Sequence, residues 1–371
     1  MVGGNNVRSC KRKRLTEIES LPEEVLFDVL VRLSAQDIYD SARLVCSKWH
    51  HMIHTHTFIY AHLQHSTYGL LFQSITGHSF FMTMGENGRA EISMKRYNKI
   101  RCPIKTSCNG LLLELECQRK SNYNLYVKNP ATRQMLALPQ FVGYLNYPIN
   151  FCFFGIAYAA ASMQYKAVIL VPDDGTKRTC CILTIGVDNS WRIVGSECKS
   201  LQSNGLFSTK LITEGFLHWC YTANNVVLTM NVETEIITET SGPIPRVVYR
   251  NRGDIYLSTG IYLSLLRPCG EFCWEVWEMK PKIDYLWRKV CDVSFEAHKY
   301  NILKRFDFDE YNYLIPTGWF KYLEVLVFRH RDQFLVLNLL TREIVTIELP
   351  GPQGNYQTIV HKNSLVWLGG C

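Results

Sequence analysis

Residues 21–53 read LPEEVLFDVLVRLSAQDIYDSARLVCSKWHHMI, and this stretch decides how the front of the chain folds. Apolar residues recur in it at intervals of three and four, the spacing that lines one face of a helix. The first stripe consists of Val25, Leu26, Val29, Leu30 and Leu33. A unit of roughly thirty to forty residues is usually too small to be stable through its own core alone. The pattern therefore predicts short helices that associate with a partner protein, rather than relying on disulfides or metal.

Two capping sequences indicate where the helices begin. Ser20 and Glu23 form an S-x-x-E box, and Pro22 suits an early helical position because its missing N–H needs no partner there. Ser34 and Asp37 form a second box. The second apolar stripe consists of Ile38, Ala42, Val45, Cys46, Trp49 and Ile53. Two or three helices fit in this span, and periodicity alone leaves open whether they pack on the rest of their own chain.

The same stretch resembles the F-box motif. The matching residues are Leu21-Pro22, Leu26, Val29-Leu30, Leu33, Asp37-Ile38, Val45-Cys46, Lys48-Trp49, Ile53 and Phe58. In that family the motif binds a helical Skp-type adaptor, which joins it to the cullin and RING subunits of an SCF-type ubiquitin ligase. The resemblance implies that the following residues lie at or directly behind the adaptor interface: Leu21, Pro22, Leu26, Val29, Leu30, Leu33, Ile38, Val45, Cys46 and Trp49.

From about residue 68 onward, the sequence changes to short β-branched and aromatic runs separated by Gly, Asn, Asp and Pro. Strands are predicted in LITEGFLHWCY (211–221), NVVLTMNVETEIITET (225–240), GDIYLSTG (253–260), CWEVWEMK (273–280), LEVLVFRH (323–330) and QFLVLNLLTREIVTIEL (333–349). The turns at Glu233-Thr234 and Thr341-Arg342 share a sequence frame that Asn129–Pro139 partly repeats. Units of roughly forty to fifty residues are typical of propeller blades, so we predict six or seven blades. A large β-sandwich is the alternative.

This second part resembles the F-box-associated interaction domain, which occurs mainly in plant F-box proteins. The resemblance rests on the order of SCNGLLLEL, YVKNPATRQMLALP, FGIAY, YKAVILV, GFLHW, WEVWEMK with Trp287, and FLVLNLLTREI. The chain departs from the family at Ala159–Ser162, where an acidic or polar turn is common. The resemblance therefore does not predict the conformation of that loop. In the family this domain recruits the protein to be ubiquitinated, and the identity of the target does not follow from the resemblance.

The predicted fold class is therefore α+β multidomain, with a small helical F-box before a large all-β domain. We expect a basic leader at 1–17, the F-box module at 18–65 and the F-box-associated domain at 68–371. The chain has 371 residues, of which 47% are hydrophobic and 20% charged, which is typical of globular proteins.

Charge and cysteine content restrict the function further. The formal net charge is +7, and five of these charges come from the leader residues Arg8 and Lys11 to Arg14. The rest of the chain therefore has a net charge of only +2. A nearly neutral body argues against nucleic-acid binding. The run Lys11, Arg12, Lys13 and Arg14 is either a nuclear import signal or a solvated tail. The 14 cysteines are irregularly spaced and no secretory leader precedes them, so we expect a reduced intracellular protein of the cytoplasm, the nucleus or both.

Other chemistries have little support in the sequence. Phe151–Val171 is interrupted by Gln164 and Lys166, so two strands are expected there rather than a membrane span. The histidines at 50, 51, 54, 56, 62 and 65 lack further ligands at a telling spacing, so no metal is predicted. Cys46 is expected to be a buried, inert thiol rather than a ubiquitin carrier.

Catalytic signatures are missing from the sequence as well. It contains no G-x-S-x-G elbow, phosphate loop or H-E-x-x-H motif. Asp173-Asp174 and the acids at 307, 309 and 310 are expected in solvated loops. The large aromatics are expected mainly in the blade cores: Trp219, Tyr221, Trp274, Trp277, Trp287 and Trp319. We therefore predict a non-catalytic substrate receptor without cofactors, with a non-degradative adaptor-binding protein and a propeller enzyme as the alternatives.

Overall fold

The structure is a computed structural model. It describes residues 21–74, 78–85, 92–96, 102–119, 122–141, 152–173, 177–194, 209–221, 225–243, 253–305, 313–331, 333–349 and 356–368. The chain divides into two compact units between Ser66 and Thr67. Ser20, the basic run Lys11–Arg14, Asp174 and the acids at 307, 309 and 310 lie outside the described residues.

The first unit is helical. Its helices are α1 (Glu23–Leu30), α2 (Ala35–Asp40), α3 (Ser47–Ile53) and α4 (His56–His65), with a short 3-10 helix at Ala42–Leu44. The expectation of two or three helices over 21–53 holds for that span, and α4 follows it directly. Thr55 separates α3 from α4, because its side chain accepts a hydrogen bond from the N–H of Phe58 at 3.2 Å and caps the new helix. None of the helices in the described ranges combines the length and apolar content that crossing a membrane requires.

The two predicted helix starts had different outcomes. Ser34 caps α2 as expected: its Oγ accepts from the N–H of Asp37 at 3.1 Å and donates to the Asp37 carboxylate at 2.6 Å. Helix α1, however, begins at Glu23, so Pro22 is its N-cap residue and not an early helical residue. The carbonyl of Pro22 accepts the first helical hydrogen bond, from Leu26 N at 3.0 Å, and Pro22 itself provides no side-chain cap. An extended Pro22 with ψ of 150° explains the later start.

The helices share a small core. Leu26 and Leu30 of α1 and Ile38 of α2 are buried, as are Ile53 and Phe58. The ring of Phe27 meets that of Phe58 edge to face, with centroids 5.2 Å apart. Nε2 of His62 in α4 lies 3.0 Å from the carbonyl oxygen of Leu33, which follows α1. The small core therefore buries some of the apolar residues of the first stripe and leaves the others outside.

The second unit consists of short antiparallel strands. In chain order they are β1 (Tyr68–Ser74), β2 (Ser79–Met84), β3 (Ile92–Arg96), β4 (Ile104–Cys108), β5 (Leu111–Arg119), β6 (Asn122–Asn129), β7 (Gln134–Ala137), β8 (Phe153–Ala159), β9 (Gln164–Asp173), β10 (Lys177–Thr184), β11 (Arg192–Val194), β12 (Thr209–Thr213), β13 (Phe216–Tyr221), β14 (Val226–Asn231), β15 (Ile237–Ser241), β16 (Ile255–Ser258), β17 (Leu263–Pro268), β18 (Cys273–Met279), β19 (Trp287–Ser294), β20 (Ile315–Lys321), β21 (Val325–His330), β22 (Gln333–Asn338), β23 (Ile344–Glu348) and β24 (Tyr356–Lys362). A 3-10 helix at Glu296–His298 and helix α5 (Lys299–Arg305) follow β19.

The described strands form six sheets of four, the blades of a β-propeller. Blade 1 has the order β24-β1-β2-β3, and blades 2 to 6 take four consecutive strands each, from β4–β7 to β20–β23. The innermost strands β4, β8, β12, β16, β20 and β24 neighbour one another in a closed ring. The predicted propeller is confirmed with six blades, and the sandwich alternative is wrong because the six described sheets follow one another around this ring.

The last strand closes the ring. All seven residues of β24 pair antiparallel with β1, from Tyr68 opposite Lys362 to Ser74 opposite Tyr356. Blade 1 therefore joins the first strands of the domain to its last one. The pairing covers the edge of β1 that would otherwise lack a partner strand.

Large aromatics fill the spaces between blades, as expected. Trp219, Trp274 and Trp319 are buried, whereas Trp277 and Trp287 are half-buried. Trp274 packs against Phe328 of the next blade, with centroids 4.9 Å apart. The expected strands over Phe151–Val171 are also present: β8 pairs antiparallel with β9.

The repeated sequence frame corresponds to one kind of turn. Asn129, Asn231 and Asn338 each end the third strand of a blade, and each Oδ1 accepts from the N–H groups two and three residues on. The residue four positions after each Asn has a left-handed φ of 59° to 60°. These turns belong to blades 2, 4 and 6, so the clearer copies recur on every second blade.

Candidate functional site

The helical unit exposes several large apolar side chains. Val29 is 50% exposed, Leu44 66% and Val45 53%. We define the apolar helix surface as the exposed residues Pro22, Val25, Val29, Leu33, Leu44 and Val45. Pro22, Val25 and Val29 are spaced three and four apart and so lie on one face at the start of α1. An ion pair of 3.7 Å between Lys48 and Glu23 brings the first turn of α3, which follows Val45, to the start of α1.

The residues predicted from the F-box resemblance fall into three groups by exposure. Pro22, Val29, Leu33 and Val45 are exposed. Leu21, Cys46 and Trp49 are half-buried. Leu26, Leu30 and Ile38 are buried, with Leu30 only 1% exposed. The structure thus separates side chains that are free to contact a partner from side chains that hold the helices together.

Two residues of the apolar helix surface were missing from the predicted set. Val25 lies one helical turn before Val29 and was part of the first stripe, so its spacing was sufficient to include it. Leu44 belongs to neither stripe, because it lies in the 3-10 helix at Ala42–Leu44, where the periodicity of α-helices does not apply. Cys46 also differs from expectation: it is the half-buried N-cap residue of α3 rather than a buried core thiol.

The histidines of the helical unit are engaged in local contacts. The rings of His50 and His54 stack at 4.1 Å, and Nδ1 of His54 lies 2.6 Å from the carbonyl of His50. Burial lowers the pKa of His54, in part offset by that carbonyl. In the part of the chain that the structure describes, no group of three or more His, Cys, Asp or Glu is arranged to hold a metal ion.

Buried carboxylates in the propeller are paired with cations. Asp254 receives two hydrogen bonds from Arg267, at 3.1 and 2.9 Å, and both residues are buried. Glu114 is fully buried and accepts from Nζ of Lys128 at 2.5 Å. Burial raises the pKa of Glu114, and the Lys128 ammonium opposes the rise. Each of these two pairs lies inside a single blade, an arrangement typical of structural ion pairs.

A small cleft lies between blades 2 and 3. Its walls consist of Leu115, Tyr123, Leu125, Phe141, Cys152, Phe154 and Ile169. The lining carries no carboxylate, so the cleft lacks the acid pair that a glycosidase would need.

The described residues thus comprise a helical module with an exposed apolar surface and a six-bladed propeller. Comparison with protein families agrees with this division. Residues 18–65 match the family described as F-box-like, and residues 57–243 match the F-box associated beta propeller domain. The second match covers half of the chain, so the chain belongs to the family of F-box associated beta propeller domain proteins.

The solved structures that resemble the chain are distant. The nidogen/laminin complex is 10% identical, with 80% of this chain and 98% of that chain covered and a TM-score of 0.46. TolB from Acinetobacter baumannii is 9% identical, with 85% of this chain and 73% of that chain covered and a TM-score of 0.45. No curated protein matches the chain.

Family membership fixes the general role. F-box domains generally bind Skp-type adaptors, and an F-box followed by this propeller is the architecture of substrate-recognition proteins. The architecture is typical of non-catalytic adaptor proteins.

Proposed function

We propose that this chain is the substrate-recognition subunit of an SCF-type ubiquitin ligase. The F-box, within limits of 18–65, binds a Skp-type adaptor and through it the cullin and RING subunits. The propeller, at 68–371, recruits a target protein for ubiquitination and degradation. The observation that carries the proposal is the apolar helix surface, which occurs in the segment that matches the F-box family.

The apolar helix surface can supply the binding energy. Full burial of a Val or Leu side chain is worth about 1.5–3 kcal/mol, and roughly half of each remains to be buried here. The five Val and Leu side chains of the surface would thus contribute several kcal/mol in total, and half-buried Leu21 and Trp49 would add to this. Such a sum is of the order needed to offset association costs.

The two units have complementary tasks in this proposal. The chain performs no bond chemistry; it holds target lysines near a charged ubiquitin carrier and so raises their effective concentration. The proposal includes a plant-type F-box protein that acts in the cytoplasm, the nucleus or both. The family resemblance and the basic run Lys11–Arg14 support these finer points.

Adaptor binding is tested with the full chain and a purified Skp-type adaptor by isothermal titration calorimetry. We expect the double variant Val29→Asp with Val45→Asp to weaken binding by at least about a hundredfold, because two central apolar contacts become desolvated charges. Met163→Asp is the matched control, since Met163 is an exposed apolar residue of the propeller. Equal affinities of the double variant and the wild type would refute the proposed interface.

Ubiquitin transfer requires a separate experiment. Partners captured by the full chain while the proteasome is inhibited are identified by mass spectrometry and added to a reconstituted ligase. We expect the captured partner to be ubiquitinated by the wild-type complex and not by the Val29→Asp, Val45→Asp complex. Adaptor binding without transfer to any captured partner would leave a non-degradative interaction protein as the correct description.

A further inference from the structure

Two cysteines of blade 5 lie in contact at the loop between β17 and β18. The Sγ atoms of Cys269 and Cys273 are 2.9 Å apart, and both thiols are free. Cys269 is exposed and Cys273 is half-buried. A disulfide bond requires about 2.05 Å between the sulfurs, so a small movement of the two side chains is sufficient to form one.

Strand register produces this contact. Pro268 lies opposite Trp274 in the β17–β18 pair, which places Cys269 and Cys273 opposite each other at the next position. The N–H groups of Cys269 and Gly270 both donate to the carbonyl of Cys273, at 3.0 and 3.3 Å. A Cβ on Gly270 would lie 3.1 Å from Cys273 Cβ, which shows how tightly the loop folds back on itself.

The loop is also fixed from outside. Phe272 is buried, and its carbonyl accepts from the N–H of Phe295 at 2.8 Å. Lys299 at the start of α5 forms an ion pair of 2.9 Å with Glu271. Both anchors hold the loop without using either thiol. The sulfurs are therefore held together in the reduced protein, which favours an intramolecular reaction over reaction with a second molecule.

The two thiols have different environments. Burial, the hydrogen bond with Cys269, and the charges of Asp292 and Glu296 raise the pKa of Cys273 to about 12. Exposed Cys269 is thus the group that meets an incoming reagent, and Cys273 is the group behind it. Modification of the Cys269 sulfur removes the hydrogen bond between the two thiols. One cause of the raised pKa of Cys273 is then absent.

We propose that Cys269 and Cys273 form a thiol–disulfide exchange site for low-molecular-weight disulfides such as oxidised glutathione. The Cys269 thiolate attacks one glutathione sulfur, the S–S bond breaks, and one glutathione leaves and takes up a proton. Cys273 then gives its proton to solvent and attacks Sγ of Cys269, and the second glutathione leaves and is protonated. Two protein thiols are oxidised and one glutathione disulfide is reduced to two thiols.

The site is tested on the full, reduced chain, treated with oxidised glutathione, quenched with iodoacetamide and mapped by mass spectrometry. We expect a Cys269–Cys273 disulfide in the wild type that dithiothreitol reverses. The Cys273→Ser variant should instead accumulate glutathione on Cys269, because the resolving thiol is gone. The Cys269→Ser variant should react at Cys273 at least about tenfold more slowly, because that thiol is shielded and mainly protonated.

Cys117, exposed on β5, serves as an internal control for general reactivity. Accumulation of the glutathione adduct on Cys269 of the wild type would overturn the proposal, as would a disulfide that forms only after denaturation. The wild type also carries a test of its own. Alkylation of native Cys269 should slow by at least about tenfold after treatment with oxidised glutathione and recover after reduction. An unchanged rate would contradict the site, whatever the adaptor-binding result.

Discussion

Nδ2 of Asn129 donates a hydrogen bond to the carbonyl of Val366 at 2.7 Å. The same amide donates to the carbonyl of Ser364 at 3.1 Å, while its Oδ1 accepts from Ala131 and Thr132 within its own turn. Asn129 therefore ties blade 2 to the segment that follows β24, the strand that closes the propeller. Asn231 and Asn338 make the local bonds of this turn in blades 4 and 6.

Replacement of Asn129 should destabilise the propeller more than replacement of Asn338. Asn129→Ala leaves buried carbonyls without their donors, and each unsatisfied buried group costs about 1–3 kcal/mol, so we expect a loss of about 2–4 kcal/mol. In Asn338→Ala the freed N–H groups belong to exposed Leu340 and Thr341, so water replaces the amide and the loss stays below about 1 kcal/mol. Urea unfolding followed by tryptophan fluorescence measures both. Equal losses would show that Asn129 contributes only its local turn.

Substitutions at two neighbouring residues of α1 should affect different properties, one the stability of the helical unit and the other its affinity for the adaptor. Leu30→Ala removes a buried side chain, and such changes cost about 2–5 kcal/mol, so amide exchange over 23–65 should accelerate. Val29→Asp alters an exposed side chain, so exchange should be unchanged, while the affinity for a Skp-type adaptor should fall by at least about tenfold. Hydrogen exchange and calorimetry on the same preparations separate the two. An adaptor affinity that responds to Leu30→Ala but not to Val29→Asp would reverse the assignment of contact and support.

The sequence was sufficient to predict the elements that depend on local chemistry. Runs of β-branched and aromatic residues identified the strands, and the Asn-initiated turns gave their own signal because the Asn side chain bonds to the next few N–H groups. The apolar stripe in α1 predicted a helix, but it did not predict which of its residues are buried and which are exposed. Val29 and Leu30 both fit a three-and-four spacing, and only tertiary packing decides that Leu30 is covered and Val29 is not.

Contacts between blades, and the pairing of particular strands within a blade, carried no such signal. The turn at Ala159–Ser162 lacks the acidic residue that is common in the family, and Glu233 of the next blade supplies a carboxylate instead. It accepts from the N–H groups of Ala161 at 2.9 Å and Ser162 at 3.1 Å. The pairing of β24 with β1 likewise joins segments nearly 300 residues apart, which no local pattern indicates. The contact of Cys269 with Cys273 depends on hairpin register, which the spacing of the two cysteines left open.

The buried pair of Asp254 and Arg267 should be intolerant of losing one partner. Asp254→Asn removes the charge that receives both Arg267 hydrogen bonds and leaves a buried guanidinium without its paired carboxylate, with the Pro243 carbonyl at 2.9 Å as a remaining acceptor. We expect a loss of about 3–5 kcal/mol in the free energy of unfolding. Asp284→Asn is the control, because Asp284 pairs with Arg288 on the surface and should change stability by less than about a quarter of that amount. Comparable losses in the two variants would contradict the role of burial.

Two buried histidines should make stability depend on pH. Burial lowers the pKa of His218 to about 3 and that of His361 to about 4, both below the ordinary 6.5. His218 lies between the hydroxyls of Thr213 and Thr229, at 2.8 and 2.9 Å, and Nδ1 of His361 lies 2.8 Å from Oγ of Ser107. Neutral rings satisfy these contacts. The unfolded chain therefore binds protons that the folded chain does not bind, at pH values below 6.5.

It follows that the stability present above pH 6.5 is lost as the pH falls from 6.5 towards 4. Each histidine should contribute a slope of about 1.4 kcal/mol per pH unit, or about 2 kcal/mol at pH 5. The measurement compares urea unfolding at pH 7.5 and pH 5 for the wild type, His218→Gln and His361→Gln. Each variant should lose about 2 kcal/mol less than the wild type between the two pH values, because its glutamine does not titrate. Carboxylates titrate alike in all three proteins and cancel in the difference. If a variant lost as much stability as the wild type, the histidine replaced in it would have to be protonated in the folded wild type.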